Sequence, residues 1–377
     1  MIVTGETSGE LYGSLLAVSL KKRQPGIRII GIGGERMKEA GVELVSGISS
    51  AFGLAEAVSS ISRIKEAFRK AVEALTRNKP SVLVLIDYPD FNLRLAGEAK
   101  KYGIKILYYV SPQVWAWRKR RIKKIAGLAE RMAVILPFEE KIYKDTGLAC
   151  EFVGHPVFDE IQELKADKNN IKRELGLKED VPVLSLLPGS RPHEIDNLLP
   201  VLPDVLKEFK KEFKGYQFCI PFAPNTDINK YETIIDGLRS EGAVINKGES
   251  LKALYAADMA VIASGTATLQ AVLLGVPIVV IYKLFPLTYW IAKLIVKVKY
   301  ASLVNILSGK EVVKELFQSD VTAKNIMNEI RKIVSDESYR DKMLRAYDIV
   351  RTMFSGKKAS ERVAEIVEEM AGLKPIK

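Results

Sequence analysis

Two cysteines, two histidines and three tryptophans are all that 377 residues hold of these types. So few cysteines exclude a disulfide-stapled fold, and Cys150 and Cys219 lie in apolar, strand-like runs, as buried thiols of a reducing compartment such as the cytosol do. His155 and His193 stand too far apart, and too poorly accompanied, for a metal site or a hydrolytic triad; His155, in F-V-G-H-P, reads as structural. No aspartates are spaced D-x-D, which argues against a metal-bridged diphosphate, so neither metal nor cofactor is expected. Nothing near Met1 has the basic flank and apolar core of an export signal. The longest charge-free window, Met259 to Tyr282, has the length for a membrane helix, which takes about 20 residues. Its centre, S-G-T-A-T-L-Q, with Gly275 and Pro277 beyond, reads instead as strand, polar turn, short helix and strand.

What is present is ordinary for a folded chain: 47% hydrophobic and 27% charged residues, too apolar for disorder. At about 150 residues per domain the length predicts two or three domains. Lys plus Arg exceed Asp plus Glu by 57 to 46, and the net charge of +11 calls for an anionic partner: nucleic acid, a phosphorylated substrate or an acidic membrane surface. Short apolar runs alternate with helical periodicity throughout, the pattern of parallel sheets built from βαβ units. The first series is I-V-T at the start, R-I-I-G-I-G-G from Arg28, V-L-V-L-I from Val82, I-K-I-L-Y-Y-V from Ile104 and M-A-V-I-L from Met132. A second series runs through P-V-L-S-L-L, Y-Q-F-C-I-P-F, G-A-V-I-N, M-A-V-I-A and P-I-V-V-I-Y. The fold class is therefore α/β with two Rossmann-like domains, residues 1–164 and 165–344, hinged at the polar K-A-D-K-N-N. The segment 345–377 ends in a helix whose Val363, Ile366, Val367 and Met370 form one apolar stripe, which must dock and can pack back on the first domain.

Four turns carry chemistry. Gly5-Glu6-Thr7-Ser8-Gly9-Glu10 follows the first strand and opens a helix, with glycines where backbone approaches a ligand; a tight strand-to-helix turn is the plain alternative. Ile86-Asp87-Tyr88-Pro89-Asp90-Phe91-Asn92 ends a buried strand, where doubly wound sheets place ligands. Asp87 abuts the apolar strand, a setting in which desolvation raises a carboxyl toward a useful base, whereas Asp90 suits capping of the next helix. Gly189-Ser190-Arg191 ends another strand, and Pro192 begins a helix that Pro200 and Pro203 keep short or interrupt. Free amides there, with the Arg191 fork, make a diphosphate site. Ser264-Gly265-Thr266 is a second amide-rich turn, ahead of a helix that Gly275 and Pro277 close.

Arg118 to Lys124 places six cations in seven residues directly after Trp115 and Trp117. The third tryptophan, Trp290, shares a helical face with Leu287, Ile291 and Leu294, while Lys293 and Lys297 lie on another. Trp beside Lys on an amphipathic helix suits contact with a bilayer interface, though a core helix with solvated lysines has the same pattern.

Together these motifs resemble the lipid-A-disaccharide synthase family over nearly the whole chain. The resemblance rests on G-E-T-S-G-E, G-I-G-G-E-R-M, I-D-Y-P-D-F-N, Y-V-S-P-Q-V-W-A-W-R, L-P-F-E, F-V-G-H-P, L-P-G-S-R, S-G-T-A-T and S-L-V-N-I-L-S-G-K. It implies two Rossmann-like domains facing a central cleft, a metal-independent inverting glycosyl transfer, and a peripheral place on the cytoplasmic face of a Gram-negative inner membrane. The implied donor is UDP-2,3-diacylglucosamine and the acceptor 2,3-diacylglucosamine 1-phosphate, giving a β-1,6 disaccharide 1-phosphate and UDP. Asp87 would deprotonate the acceptor hydroxyl, with Glu6 and Ser8 lining the cleft and Asp90 and Asn92 beside them. Gly189, Ser190, Arg191, Ser264, Gly265, Thr266, Asn305 and Gln318 would hold the UDP portion. The chain departs from the family at Gln270, where a ribose-binding Glu is usual, at Val304, where Pro is usual, and in a first strand beginning almost at Met1, which implies a short strand or a start further upstream. A basic nucleic-acid-binding protein leaves I-D-Y-P-D-F-N and both phosphate-type turns unexplained, so no nucleic-acid partner is expected. A related UDP-sugar epimerase or peptidoglycan glycosyltransferase is the closer alternative, and the Trp/Lys segment argues against the epimerase. A homo-oligomer is compatible with the sequence.

Overall fold

The computed structural model describes residues 1–47, 57–114, 121–164, 167–284 and 299–374, with backbone only at 57–61. The chain divides into two compact units: Met1–Glu160 with Gly356–Lys377, and Ile161–Ser355.

The first unit is built on a seven-stranded sheet of order β3-β2-β1-β4-β5-β6-β7, parallel at every pairing. Its strands are β1 (Ile2–Val3), β2 (Ile30–Gly33), β3 (Glu43–Gly47), β4 (Val82–Ile86), β5 (Lys105–Tyr109), β6 (Arg131–Val134) and β7 (Ala149–Phe152). The second unit has a six-stranded parallel sheet of order β10-β9-β8-β11-β12-β13. These are β8 (Val183–Leu187), β9 (Gln217–Phe222), β10 (Ala243–Lys247), β11 (Met259–Ala263), β12 (Ile278–Tyr282) and β13 (Glu315–Phe317). Central strands such as β4, β8 and β11 are buried at every residue, since helices cover both faces.

Three strands lie outside the two series of runs read in the sequence: β3, β13 and β7, the last marked there only as the strand-like run around Cys150. Each carries a glutamate (Glu43, Glu151, Glu315) and each closes a sheet edge, where one flank is solvated and an unbroken apolar run is not required. Cys150, expected buried, is accordingly only half-buried on β7, whereas Cys219 on β9 is buried. The helix after β8 is interrupted at its prolines, running Pro192–Leu198, then a 3-10 turn Leu199–Val201, then Leu202–Glu212.

The crossings between units also differ from the expected 164 and 345. Asp167 caps the helix Lys168–Glu174 by accepting from the Asn169 and Asn170 amides, so the polar K-A-D-K-N-N stretch opens a helix of the second unit. Helix Glu337–Phe354 belongs to that unit as well, and the return comes at Gly356.

The last helix, Ala359–Ala371, packs on helix Thr7–Arg23 and on β4 and β5 with Val363, Ile366, Val367 and Met370 all buried. Ion pairs frame that face: Arg23–Glu368 at 2.8 Å, Arg362–Glu151 at 2.6 Å, and Arg131–Glu369. Asp159 receives the Ser360 amide at 2.7 Å, satisfying an N–H that the first turn of a helix leaves unbonded. The F-V-G-H-P segment is the seat of this return. The Lys357 ammonium donates to the Phe152 carbonyl at 3.1 Å, and His155 is buried with the Tyr12 ring edge-on at 5.7 Å.

Burial pushes the His155 imidazole down to about 3, so it is neutral in the folded protein at every moderately acidic pH. The unfolded chain takes up that proton below about 6.5, so stability falls as pH drops from there toward 3. Between pH 7 and pH 5 this one group accounts for about 2 kcal/mol of lost stability. Urea unfolding of His155→Gln at both pH values should show that increment gone; an unchanged pH dependence would refute the assignment.

Candidate functional site

In each sheet the first strand of the unit lies between its second and fourth, β1 between β2 and β4, and β8 between β9 and β11. Loops leaving the two central strands diverge to opposite faces, which opens a crevice at their carboxyl ends. All four turns singled out in the sequence sit at these two points. Glu6 to Ser8 follow β1, Asp87 follows β4, Gly189 to Arg191 follow β8, and Ser264 to Thr266 follow β11.

In the first unit the chain leaves β4 through two consecutive left-handed residues, Asp87 (φ +47°) and Tyr88 (φ +43°), and leaves the neighbouring β5 through a third, Val110 (φ +66°). Such non-glycine conformations cost about 1–3 kcal/mol each. They are held from below. The buried Tyr108 hydroxyl donates to the Asp87 carbonyl at 2.8 Å, and Asn92 Nδ2 donates to the same carbonyl at 2.8 Å and to Ile86 at 3.2 Å. Asn92, expected to meet substrate, is fully buried and gives its Nδ2 to this backbone, while its Oδ1 is buried with no hydrogen-bond partner. The Tyr88 ring stacks on Phe91 with centroids 5.4 Å apart and lies directly over Gly5. Burial first, then the Asp90 and Glu6 charges, push the Tyr88 hydroxyl up to about 12. Asp87, left half-buried, stands at the end of the sheet with Glu6 and Ser8, also half-buried, at the start of helix Thr7–Arg23. Asp90 is not the helix cap. Tyr88 holds that place, and Asp90, in the first turn, pairs with Arg121.

In the second unit the Gly189-Ser190-Arg191 turn differs from expectation. Its amides are not free for an anion: Glu194 Oε2 accepts from Ser190 N at 3.0 Å and Arg191 N at 3.2 Å, and Oε1 accepts from Arg191 Nη1 at 3.1 Å. Gly189 (φ +111°) is required here, since a Cβ would lie 2.6 Å from the Glu194 side chain. The Arg191 side chain is half exposed. Across β11, Gly265 is the exposed cap of helix Thr266–Leu274, and Thr268 Oγ1 donates to its carbonyl at 2.7 Å. Ser264 Oγ donates to Ala301 at 3.3 Å, Thr266 is half-buried, and Gln270 lies a turn further into the helix and is buried.

Two further residues expected at the nucleotide are engaged within their own unit. Asn305 is fully buried: its Nδ2 donates to Val313 O and Glu315, each at 2.9 Å, and its Oδ1 accepts from the Val312 and Val313 amides, which leaves nothing for a uridine. Gln318 (φ +49°) spends its amide on both main-chain groups of Leu284, at 2.6 and 2.9 Å. Both are framework. Val304, in place of the usual proline, is fully buried in the short helix Leu303–Ser308. The expected membrane residues Trp115, Trp117, Leu287, Trp290, Ile291 and Leu294 lie outside the described residues. Among the described residues no helix is long and apolar enough to cross a membrane, and no three His, Cys, Asp or Glu side chains gather as metal ligands would.

Sequence reasoning passed over Glu194, Tyr108 and Glu315. Glu194 had a signal, a glutamate three residues after a cap position, which is the spacing of a capping box. Tyr108 had none, since nothing in I-L-Y-Y-V says which hydroxyl turns toward a neighbouring strand.

Two parallel sheets with ligand-type turns at both switch points define a two-domain, Rossmann-like protein of the architecture shared by sugar-nucleotide epimerases and glycosyltransferases. Solved structures of similar fold include a Staphylococcus aureus MnaA–UDP co-structure (TM-score 0.71, 11% identity, covering 99% of this chain and 97% of that one). The calicheamicin glycosyltransferase CalG4 is another (TM-score 0.61, 16% identity, 98% of each chain). Sequence narrows the class. The lipid-A-disaccharide synthetase family model matches residues 1–367, and lipid-A-disaccharide synthases are 41% identical in Syntrophus aciditrophicus (97% of this chain, 95% of that one) and 38% identical in Myxococcus xanthus (98% and 97%). The chain belongs to the lipid-A-disaccharide synthase family, and it is a glycosyltransferase of lipid A biosynthesis.

The two glycines of G-E-T-S-G-E differ in what they do. A Cβ on Gly5 would lie 2.3 Å from Tyr88 Cγ, at the root of a ring that cannot swing aside, so Gly5→Ala should displace the Asp87–Tyr88 turn and cost about 1–3 kcal/mol. A Cβ on Gly9 meets nothing nearer than 3.5 Å, and Gly9→Ala should stabilise the helix by about 0.5–1 kcal/mol. Denaturant titration of both variants checks the contrast; equal effects would sink it.

Proposed function

We propose that the protein transfers the diacylglucosaminyl group of UDP-2,3-diacylglucosamine to the 6-hydroxyl of 2,3-diacylglucosamine 1-phosphate, with inversion and without metal. The observation that carries this reading is Asp87, held in a left-handed turn at the switch point of the first sheet, where a carboxylate can meet a ligand hydroxyl. Asp87 takes the proton of the acceptor hydroxyl as its oxygen forms the new bond to the donor's anomeric carbon. The bond from that carbon to the diphosphate breaks, and the electron pair leaves with UDP. Negative charge growing on the leaving diphosphate is met by the Arg191 guanidinium and the N-terminal amides of helix Thr266–Leu274, with Gln270 further along the same helix toward the ribose. Glu6 and Ser8 line the acceptor side, with the Asp90–Arg121 pair at its edge. Support comes from family membership, and from the UDP bound in the MnaA structure of the same fold.

Asp87→Asn should keep UDP affinity and lose about 10² to 10⁴ in turnover, the usual worth of a positioned proton acceptor. Asp90→Asn, at an exposed carboxylate paired with Arg121, should lose less. Assaying both with the acylated donor and acceptor in EDTA, and following UDP and disaccharide, tests reaction, substrates and metal independence together. Small and equal losses would remove Asp87 from the mechanism.

Both substrates carry acyl chains and phosphate, and a chain of net charge +11 is suited to the anionic surface in which they reside. We therefore place the enzyme peripherally on the cytoplasmic face of the inner membrane, with Trp115, Trp117 and the apolar face Leu287, Trp290, Ile291 and Leu294 as the contact. Replacing Leu287, Trp290, Ile291 and Leu294 with Ser should release the protein from anionic vesicles in co-sedimentation while circular dichroism stays unchanged. Unfolding of the variant would assign the segment to the core instead.

A further inference from the structure

The carboxylate of Glu194 occupies the position at which an anion would be expected to sit. It is buried (4% exposed), takes both the Ser190 and Arg191 amides on one oxygen, and takes the Arg191 guanidinium on the other. Those three donors are the set that a diphosphate would otherwise use at this turn. Gly189 admits the carboxylate so closely that a single added carbon would collide with it. We propose that Glu194 is a positioning residue for nucleotide binding. It removes the turn's amides from the ligand's reach and fixes Arg191, so that diphosphate recognition on this side of the sheet passes through the guanidinium alone. An arginine side chain loses much rotamer freedom when it grips a ligand. A guanidinium has five N–H donors, and one tethered beforehand through Nη1 loses less of that freedom on binding. This inference rests on the reading that Arg191 faces UDP.

Electrostatics alone makes the opposite prediction, which gives the test its sign. A negative charge beside a diphosphate repels it, so Glu194→Gln, which keeps the shape and removes the charge, should tighten UDP if Glu194 is merely a nearby charge. If Glu194 positions Arg191, the same variant should raise the UDP dissociation constant about three- to tenfold, the worth of one hydrogen bond. Calorimetric titration of UDP into the full-length protein, Arg191→Ala, Glu194→Gln and the double variant separates the cases. The expected result is a loss from Glu194→Gln with Arg191 present and none when it is combined with Arg191→Ala. Unchanged or tighter binding by Glu194→Gln, or an equal loss in both backgrounds, overturns the proposal while leaving Arg191 at the nucleotide. Unchanged binding by Arg191→Ala overturns the nucleotide placement itself, and this inference with it. Should Glu194→Gln not fold, Glu194→Asp serves: it keeps the charge but withdraws the carboxylate by one methylene, and the same Arg191-dependent loss is expected.

Discussion

A backbone carbonyl, that of Asp87, receives the hydrogen bonds on which the first half of the site depends. Two left-handed residues in succession cost about 2–6 kcal/mol together, and the three side-chain hydrogen bonds that Tyr108 and Asn92 give to the end of β4 return about 1 kcal/mol each. The remainder falls on packing: Gly5 beneath Tyr88, Phe91 stacked on it, and Phe68 edge-on to Phe91 at 5.5 Å. Strain of this kind persists only where its surroundings over-determine it. Here the surroundings come from four separate parts of the chain, and their combined result is the placement of one carboxylate.

The second unit follows the same logic with different groups. Polar residues that the sequence suggests for ligand contact are consumed in shaping the loops that present other groups. Glu315 accepts from the Ala301 and Ser302 amides, the Ser302 hydroxyl and Asn305 Nδ2, and Asn305 in turn ties down the backbone of Val312 and Val313. Gln318 clasps both main-chain groups of Leu284, just past β12. The fully buried Asn305 amide, with its donors and acceptors all matched, gains nothing by turning toward a ligand, because each bond broken leaves a buried group unsatisfied at about 1–3 kcal/mol. Of the residues proposed to meet substrate, Glu6, Ser8, Asp87, Arg191, Ser264 and Thr266 are incompletely buried.

Legibility in the sequence followed burial. β4 and β11 were readable to the residue, because a strand covered on both faces must be an unbroken apolar run. The edge strands β3, β7 and β13 were not, because an edge admits the charges of Glu43, Glu151 and Glu315. Of the site, the turns themselves were legible, since glycine, proline and small polar residues mark where strands end. Which member of each motif faces outward was not legible. The need for glycine at residue 5 is set by Tyr88, and the occupant of the Gly189 turn is set by the rotamer of Glu194; both are facts of tertiary packing that no local pattern encodes.

The final helix shows what a crossing chain requires. A segment that leaves one unit at Ile161 and re-enters it at Gly356 must be recaptured by contacts that outweigh the entropy of closing so long a loop. That entropy grows only as the logarithm of loop length, so the second unit could be inserted at modest cost provided the return seat is strong. The seat combines four buried apolar side chains on helix Ala359–Ala371, worth about 1.5–3 kcal/mol each, with the Arg23, Arg131 and Arg362 pairs at its margins. The apolar burial supplies most of the energy, since partly exposed ion pairs contribute about 0–1 kcal/mol each. The charges instead set orientation: three arginines from different elements meet glutamates spaced along the helix and its partner strand, and a slip of one residue would turn the apolar stripe out of its groove and misalign the pairs together. F-V-G-H-P is thereby tied to recapture of the chain, with His155 neutral in the buried seat and Asp159 meeting the helix that returns.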